Sequence, residues 1–190
     1  MKAIEIFPRN IYGETFLGFD SGYLQSIEAT IELFRRGNTS GREMSNQDFG
    51  YQSNLLPHDG VFQNLTDKIL VKSKEFLKSL NGFEFSKVQL KDMWANINYP
   101  GDINWPHFHG DDLAGVYYIN AQKNSGNLFL QNYDYGEKQK MKRYLIQKDL
   151  KSIEPENDKL VLFDADCIHG VDKNISDSNR VSISFNVLVQ

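Results

Sequence analysis

The chain holds four histidines, and two of them stand one residue apart. His107 and His109 sit in "NYPGDINWPHFHGDDLAGVYYIN", residues 98–120. In an extended strand residues i and i+2 point to the same side, so this spacing aims two imidazoles at one point. Imidazole suits iron, zinc, copper and nickel. A His-x-His pair is common by chance, and a metal site needs a further donor from elsewhere. His169, in "KLVLFDADCIHGVDKN", closes an apolar strand just before a turn. It lies 169 − 107 = 62 residues downstream, with strands between, and a β-sandwich brings such strand ends together across its mouth. Eleven residues later (180 − 169) Arg180 opens "RVSISFNVLV". If its side chain points inward it needs an anion, because an unpaired buried charge is very costly. Its guanidinium fork matches a carboxylate bidentately. Ser182 shares that face and offers a hydroxyl to the same anion. The plainer reading of Arg180 is an outward-facing strand charge or a structural ion pair.

The elements that must position these residues fall into two textures. "AIEIF" (3–7) alternates and reads as a strand ended near Pro8. "DSGYLQSIEATIELFRRGN" opens on Asp20 and Ser21 as N-caps and closes on Gly37, with Leu24, Ile27, Ile31 and Leu33 to Phe34 at helical spacing. Residues 38–58 are polar and read as a long loop. "VFQNLTDKILVKSKEFLKSLNG" places Leu65, Ile69, Phe76 and Leu80 on one side, with Gly82 as a stop: a second helix. From about residue 83 the pattern becomes short runs rich in Val, Ile, Phe and Tyr: "LAGVYYINA", "GNLFLQNY", "KLVLFDA" and "VSISFNVLV". The expected fold is α+β, an antiparallel β-sandwich or jelly roll with N-terminal helices packed on one face. We expect one domain over 1–190, with a helical part at about 1–82 and a jelly-roll core at about 83–190. The Lys-rich piece 137–149 reads as a solvated hairpin or loop, or as a basic flap over a pocket for an acidic ligand.

Composition narrows the function classes. A chain of 190 residues can bury roughly 70% of its unfolded surface, so no disulfide or structural metal is needed for a core. A formal charge of −4 speaks against a general nucleic-acid binder, which would favour a basic face. One cysteine, Cys167, excludes an internal disulfide and fits a reducing compartment. The N-terminus lacks the apolar run of a signal peptide, and no segment approaches the ~18 apolar residues of a membrane span. These features read as a soluble, cytoplasmic protein, in a host's cytoplasm should the gene be viral. The expected partners are a small-molecule or peptide substrate, with a homodimer allowed for; neither nucleic acid nor membrane is expected.

Four pieces, in order, resemble prolyl 4-hydroxylases and related 2-oxoglutarate- and iron(II)-dependent oxygenases. "NYPGDINWPHFH" resembles the segment where Asn-Tyr-Gly leads into Pro-His-x-Asp. "SGNLFL" resembles a Gly-Gly-x-Leu-x-Phe strand. "LFDADCIHGV" resembles the strand of the distal metal histidine, and "NRVSISFNV" the strand whose basic residue holds the far carboxylate of 2-oxoglutarate. "HGDDLAGVYYI", with the opening "EIFP", is also similar to a smaller set of such oxygenases, often from phages and marine bacteria. The resemblance implies a double-stranded β-helix with Fe(II) at His107 and His169. It also implies 2-oxoglutarate as cosubstrate, held at its far end by Arg180 and Ser182, with Tyr118 or Asn98 adding a polar contact. The implied reaction is decarboxylation of 2-oxoglutarate to succinate and CO2, with hydroxylation of an unactivated C–H bond.

The chain departs from the hydroxylase pattern at position 109, where His stands for Asp. Three readings follow. His109 ligates directly; or the motif slides, His109 and Asp111 form His-x-Asp, and His107 either supports a ligand from behind or serves the substrate; or Asp166 or Asp112 enters the shell. With three imidazoles the site is one charge more positive, and Zn, Ni or Cu compete more strongly. Asp111 and Asp112, if not ligands, are placed to orient a metal-bound imidazole. Trp94 and Trp105 read as core or pocket wall, His58 as an exposed loop residue, and Cys167 as an inert buried thiol. Two other functions compete: a cupin-like three-His enzyme that does not use 2-oxoglutarate, and a non-catalytic jelly-roll binding module.

Overall fold

The computed structural model describes residues 4–7, 10–42, 45–80, 84–131 and 150–190. The Lys-rich stretch 137–149 and Gly82 lie outside the described residues. Among the described residues, eleven strands form two antiparallel sheets. In chain order they are β1 (Ile4–Phe7), β2 (Asn10–Phe16), β3 (Tyr51–Leu55), β4 (Val88–Asn98), β5 (Asn104–His107), β6 (Leu113–Asn120), β7 (Leu128–Gln131), β8 (Leu150–Ile153), β9 (Lys159–Asp164), β10 (Ile168–Val171) and β11 (Arg180–Val189). The larger sheet runs β1-β2-β9-β6-β11-β4-β3, and the smaller one β5-β10-β7-β8. From β4 onward the chain alternates between the two sheets, except that β7 and β8 are paired neighbours in the smaller one, in the manner of a double-stranded β-helix.

Each sheet face has its own reason to be covered. On β4 and β11 the odd-numbered residues Met93, Ala95, Ile97, Val181, Ile183, Phe185 and Val187 are buried on the outer face of the larger sheet. Two helices cover that face: α1 (Ser21–Gly37) through Leu24, Ile27 and Ile31, and α2 (Gln63–Lys78) through Leu65, Ile69, Phe76 and Leu77. Asp20 caps α1 by accepting from the Tyr23 amide at 2.8 Å. The buried Asp158 carboxylate fixes the approach to α1, accepting from Gly18 N, Phe19 N and the Tyr117 hydroxyl. The inner face of the larger sheet meets the smaller sheet through Ala114, Val116, Tyr118, Val161 and Phe163 against Leu128, Leu130 and Ile153.

Two N-terminal details differ from the sequence reading. Residues 38–58 contain β3, whose Tyr51, Gln52 and Ser53 are buried against β4 at the sheet edge. Its polar side chains hide it from a hydrophobic pattern, because their partners lie more than forty residues away on β4. β2, "NIYGETF", pairs along its length with β9, so strands flank the helical part of the chain and share the larger sheet. No described helix is long and apolar enough to cross a membrane.

Candidate metal centre

β5 and β10 pair with His107 directly opposite His169. His109 follows β5 on a turn anchored by its own amide, which donates to the Ala165 carbonyl at 2.9 Å. One ligand atom from each of the three imidazoles lies within 4.8 Å of those of the other two. His169 is buried, and the other two are half-buried at the mouth of the sandwich. Asp111, the ligand of the sliding reading, pairs instead with Lys91 at 2.6 Å. Asp112 accepts from the Val189 amide, and Asp166 is exposed.

Each imidazole has its outer nitrogen engaged. His169 Nδ1–H donates to the Cys167 carbonyl at 2.8 Å, and His107 Nδ1–H to the Trp105 carbonyl at 2.8 Å. His109 Nδ1 meets Asn186 Oδ1 at 2.6 Å. These bonds leave the three Nε2 lone pairs for a shared cation, and outer-nitrogen bonds of this kind are how proteins set the tautomer of a ligating histidine. Desolvation lowers the pKa of His107 and of His109. Burial and then the two neighbouring imidazoles hold His169 well below its ordinary value. All three are therefore neutral at neutral pH, which is the form that ligates. The Asn46 amide nitrogen lies 2.9 Å from His107 Nδ1 and 3.0 Å from Nε2, so a cation taken at Nε2 displaces the second contact.

A cavity runs from the imidazoles between the sheets to Arg180. Trp94, Asn96, Tyr118, Ser182 and Ser184 line it from the larger sheet, and Gly170 and Leu128 from the smaller. Arg180, Ser182, Ser184 and Asn186 are every second residue of β11, so one strand face carries the whole polar row. Arg180 is fully buried. Its Nη1 donates to the Gly126 carbonyl at 2.9 Å, and its Nη2 to Asn98 Oδ1 at 2.5 Å. Asn98 in turn donates to the buried carboxylate of Asp102 at 2.8 Å. Asn98 is therefore spent on holding Arg180 and does not line the cavity, whereas Tyr118 and Ser182 do. Among the described residues, three buried polar atoms of cavity-lining side chains have no hydrogen-bond partner: Arg180 Nε, Tyr118 Oη and Trp94 Nε1. Burial pushes the Tyr118 hydroxyl up to about 12, so it stays a donor. Orphaned buried donors are costly, and a ligand with acceptor oxygens removes that cost. A diacid that chelates a cation at one end and meets Arg180 and Tyr118 at the other fits this donor set.

Of the remaining expectations, Trp94 walls the cavity, while Trp105 is 55% exposed. His58 is half-buried away from the cavity lining. Cys167 is buried, and its thiol faces the Gln131 carbonyl rather than the imidazoles. Sequence reasoning missed Asn46, Gln52, Asn96, Ser184, Asn186 and Asp92. Gln52 donates to Asn96, and Asn96 to Ser184, across three adjacent strands. A signal existed in β4, where Asp92, Trp94, Asn96 and Asn98 stand at every second position.

A family model described as "Putative 2OG-Fe(II) oxygenase" matches residues 92–186, half of the chain. No curated protein matches the chain by sequence. Solved structures do. HygX from Streptomyces hygroscopicus, with nickel, 2-oxoglutarate and hygromycin B bound, superposes with a TM-score of 0.68 at 10% identity, covering 93% of this chain and 82% of that one. The viral collagen prolyl hydroxylase of Paramecium Bursaria Chlorella virus-1, in complex with 2-oxoglutarate, gives 0.62 at 15% identity, covering 94% and 96%. A prolyl hydroxylase from Trichoplax adhaerens, in complex with a hypoxia inducible factor peptide fragment, gives 0.67 at 12% identity, covering 93% and 83%. At such identities the likeness speaks to the fold, which is the one described above.

Proposed function

The chain belongs to the 2OG-Fe(II) oxygenase family, and from that premise we propose that it hydroxylates a small-molecule or peptide substrate, with Fe(II) held by His107, His109 and His169. The observation that carries the reading is the joining of two half-sites by one cavity: three neutral imidazoles at the mouth, and a buried guanidinium with an orphaned Tyr118 hydroxyl at the far end. When bound, iron and 2-oxoglutarate supply the oxidative decarboxylation to succinate and CO2 and the oxidation of a substrate C–H bond.

The protein's own residues bind, orient and exclude water. Arg180 takes the distal carboxylate of 2-oxoglutarate, with Ser182 and Tyr118 donating hydroxyls beside it. Asn98 acts through Arg180, tying it to Asp102 so that the guanidinium is aimed before the ligand arrives. Phe163, whose ring centroid is 4.7 Å from that of His169, keeps one wall of the metal end apolar. Held by His107, His109 and His169 alone, the metal would keep room for the oxo acid and for dioxygen. Both substrate kinds have precedent in the fold: hygromycin B is bound in HygX, and a peptide in the Trichoplax enzyme.

The test is turnover without a substrate. Protein purified anaerobically and given Fe(II), 2-oxoglutarate and oxygen should release succinate slowly. No succinate, together with no 2-oxoglutarate-dependent charge-transfer band, would sink the reading.

A further inference from the structure

We propose that Asp92 sets the proton of His109 through Asn186, acting as a positioning residue that keeps the His109 Nε2 lone pair turned to the metal. The inference rests on His109 being a ligand. A carboxylate at this place would present lone pairs whichever way it turned. An imidazole presents one only if its other nitrogen carries the proton, so replacing Asp by His creates a need for something that fixes the tautomer.

His107 and His169 meet that need with backbone carbonyls, which can only accept. His109 does not. Its Nδ1 faces the side-chain amide of Asn186 at 2.6 Å. An amide can rotate to offer either an acceptor oxygen or a donor NH2, and with NH2 presented the His109 proton would move to Nε2 and close the ligand atom. A third group must decide, and Asp92 stands there. Asn186 and Asp92 are direct cross-strand partners in the β11–β4 ladder, and Asn186 Nδ2 donates to Asp92 Oδ1 at 2.7 Å. An ionised carboxylate only accepts. The opposite amide orientation would set two oxygens against each other and lose this bond. Asp92 thus selects the amide orientation, the amide selects the tautomer, and the tautomer leaves Nε2 open.

Two further features fit this role. The ladder shifts register immediately after Asn186, and such irregularities re-aim a side chain beside a site. The other carboxylate beside His109, Asp111, is engaged by Lys91, so Asp92 is the one joined to His109 by hydrogen bonds. The Asp92 charge also returns, at one remove, part of the negative charge that a carboxylate ligand would have brought.

The experiment uses 15N-histidine-labelled full-length protein for tautomer assignment by NMR without metal, and Co(II) alone, in competition with a chelator, for affinity. Wild-type His109 should be the Nδ1–H tautomer. Asp92→Asn should mix the tautomers and weaken Co(II) about 10- to 100-fold, the usual cost of losing such an outer partner. The exchange variant Asp92→Asn/Asn186→Asp puts the carboxylate directly on His109 Nδ1–H and should restore both the tautomer and the affinity. This guards against a variant that merely packs badly. An Asp92→Asn protein with unchanged tautomer and unchanged Co(II) affinity overturns the proposal, as does an exchange variant no better than the single ones. Wild-type protein that ignores Co(II) would overturn the metal reading instead, while the tautomer still decides the role of Asp92.

Discussion

His107 and His169 face each other as a directly paired couple in the β5–β10 ladder, with ring centroids 4.3 Å apart. Backbone pairing alone sets their separation, and β10 is held on its other side by β7. His169→Ala should therefore leave the sheet intact while removing the metal. We expect stoichiometric Co(II) binding to vanish on desalting and uncoupled succinate formation to fall by at least about 100-fold. Elemental analysis of the folded variant checks this. A variant still carrying one metal per chain would mean that His169 is not a ligand.

Arg180 separates structural from functional roles. Removing it leaves Asn98 Oδ1 and the Gly126 carbonyl without their donor, so Arg180→Met should lose about 1–3 kcal/mol of stability. In wild-type protein loaded with Ni(II), 2-oxoglutarate at a hundred times its Kd should add about 2.7 kcal/mol. Thermal denaturation with and without the diacid reads both effects. If the diacid still stabilises Arg180→Met, the far carboxylate sits elsewhere.

The trio and the arginine stood out in the sequence as a His-x-His pair, a third histidine closing an apolar strand and a cation at the head of another, although His109 lies just past the end of β5 and not on the strand itself. Asn186 and Asp92 did not. Polar residues at alternate strand positions ordinarily face water, so Asp92, Asn96 and Asn98 could have pointed either way until the second sheet was seen to cover them. Asn46 and Gln52 lie in a segment whose polarity reads as loop; what holds it is hydrogen bonding to β4 and to the Asp102 carboxylate, which accepts from the Asp48 and Phe49 amides. No local pattern announces a partner fifty residues away.

Gly126 supports Arg180 from the backbone. Its φ of +97° is one that L side chains rarely adopt, and an added Cβ would overlap the Asp172 carbonyl while lying 3.2 Å from Arg180 Nη1. Gly126→Ala should cost about 1–3 kcal/mol in strain and shift the carbonyl that Arg180 donates to. The expected signature is selective: 2-oxoglutarate binding weakened about tenfold, near 1.4 kcal/mol, with Co(II) affinity unchanged. Calorimetric titration of each ligand reads the split. Equal losses for both ligands would point to a general loosening of the sandwich.

Cys167 gives the fold a dependence on alkaline pH whose sign can be worked out. Burial pushes its thiol up to about 12, against about 8.5 in an unfolded chain. Between those values the folded state keeps a proton that the unfolded state has lost, so stability falls as pH rises through this window. Tyr118, also pushed up to about 12, and Tyr23, Tyr51 and Tyr117, likewise raised by burial, join chiefly above their unfolded value of about 10. From about pH 8.5 to 10 the cysteine therefore dominates, and wild-type protein should be about 1.4 kcal/mol less stable at about pH 9.5 than at pH 7. Cys167→Ala should start lower, since it leaves a gap beside the Gln131 carbonyl, but should lack this slope. Urea denaturation of both proteins at the two pH values decides it. The same burial predicts that iodoacetamide modifies Cys167 only after denaturation, because the thiolate is both scarce and covered. Parallel pH slopes in the two proteins, or labelling of the native wild type, would place the thiol in contact with water.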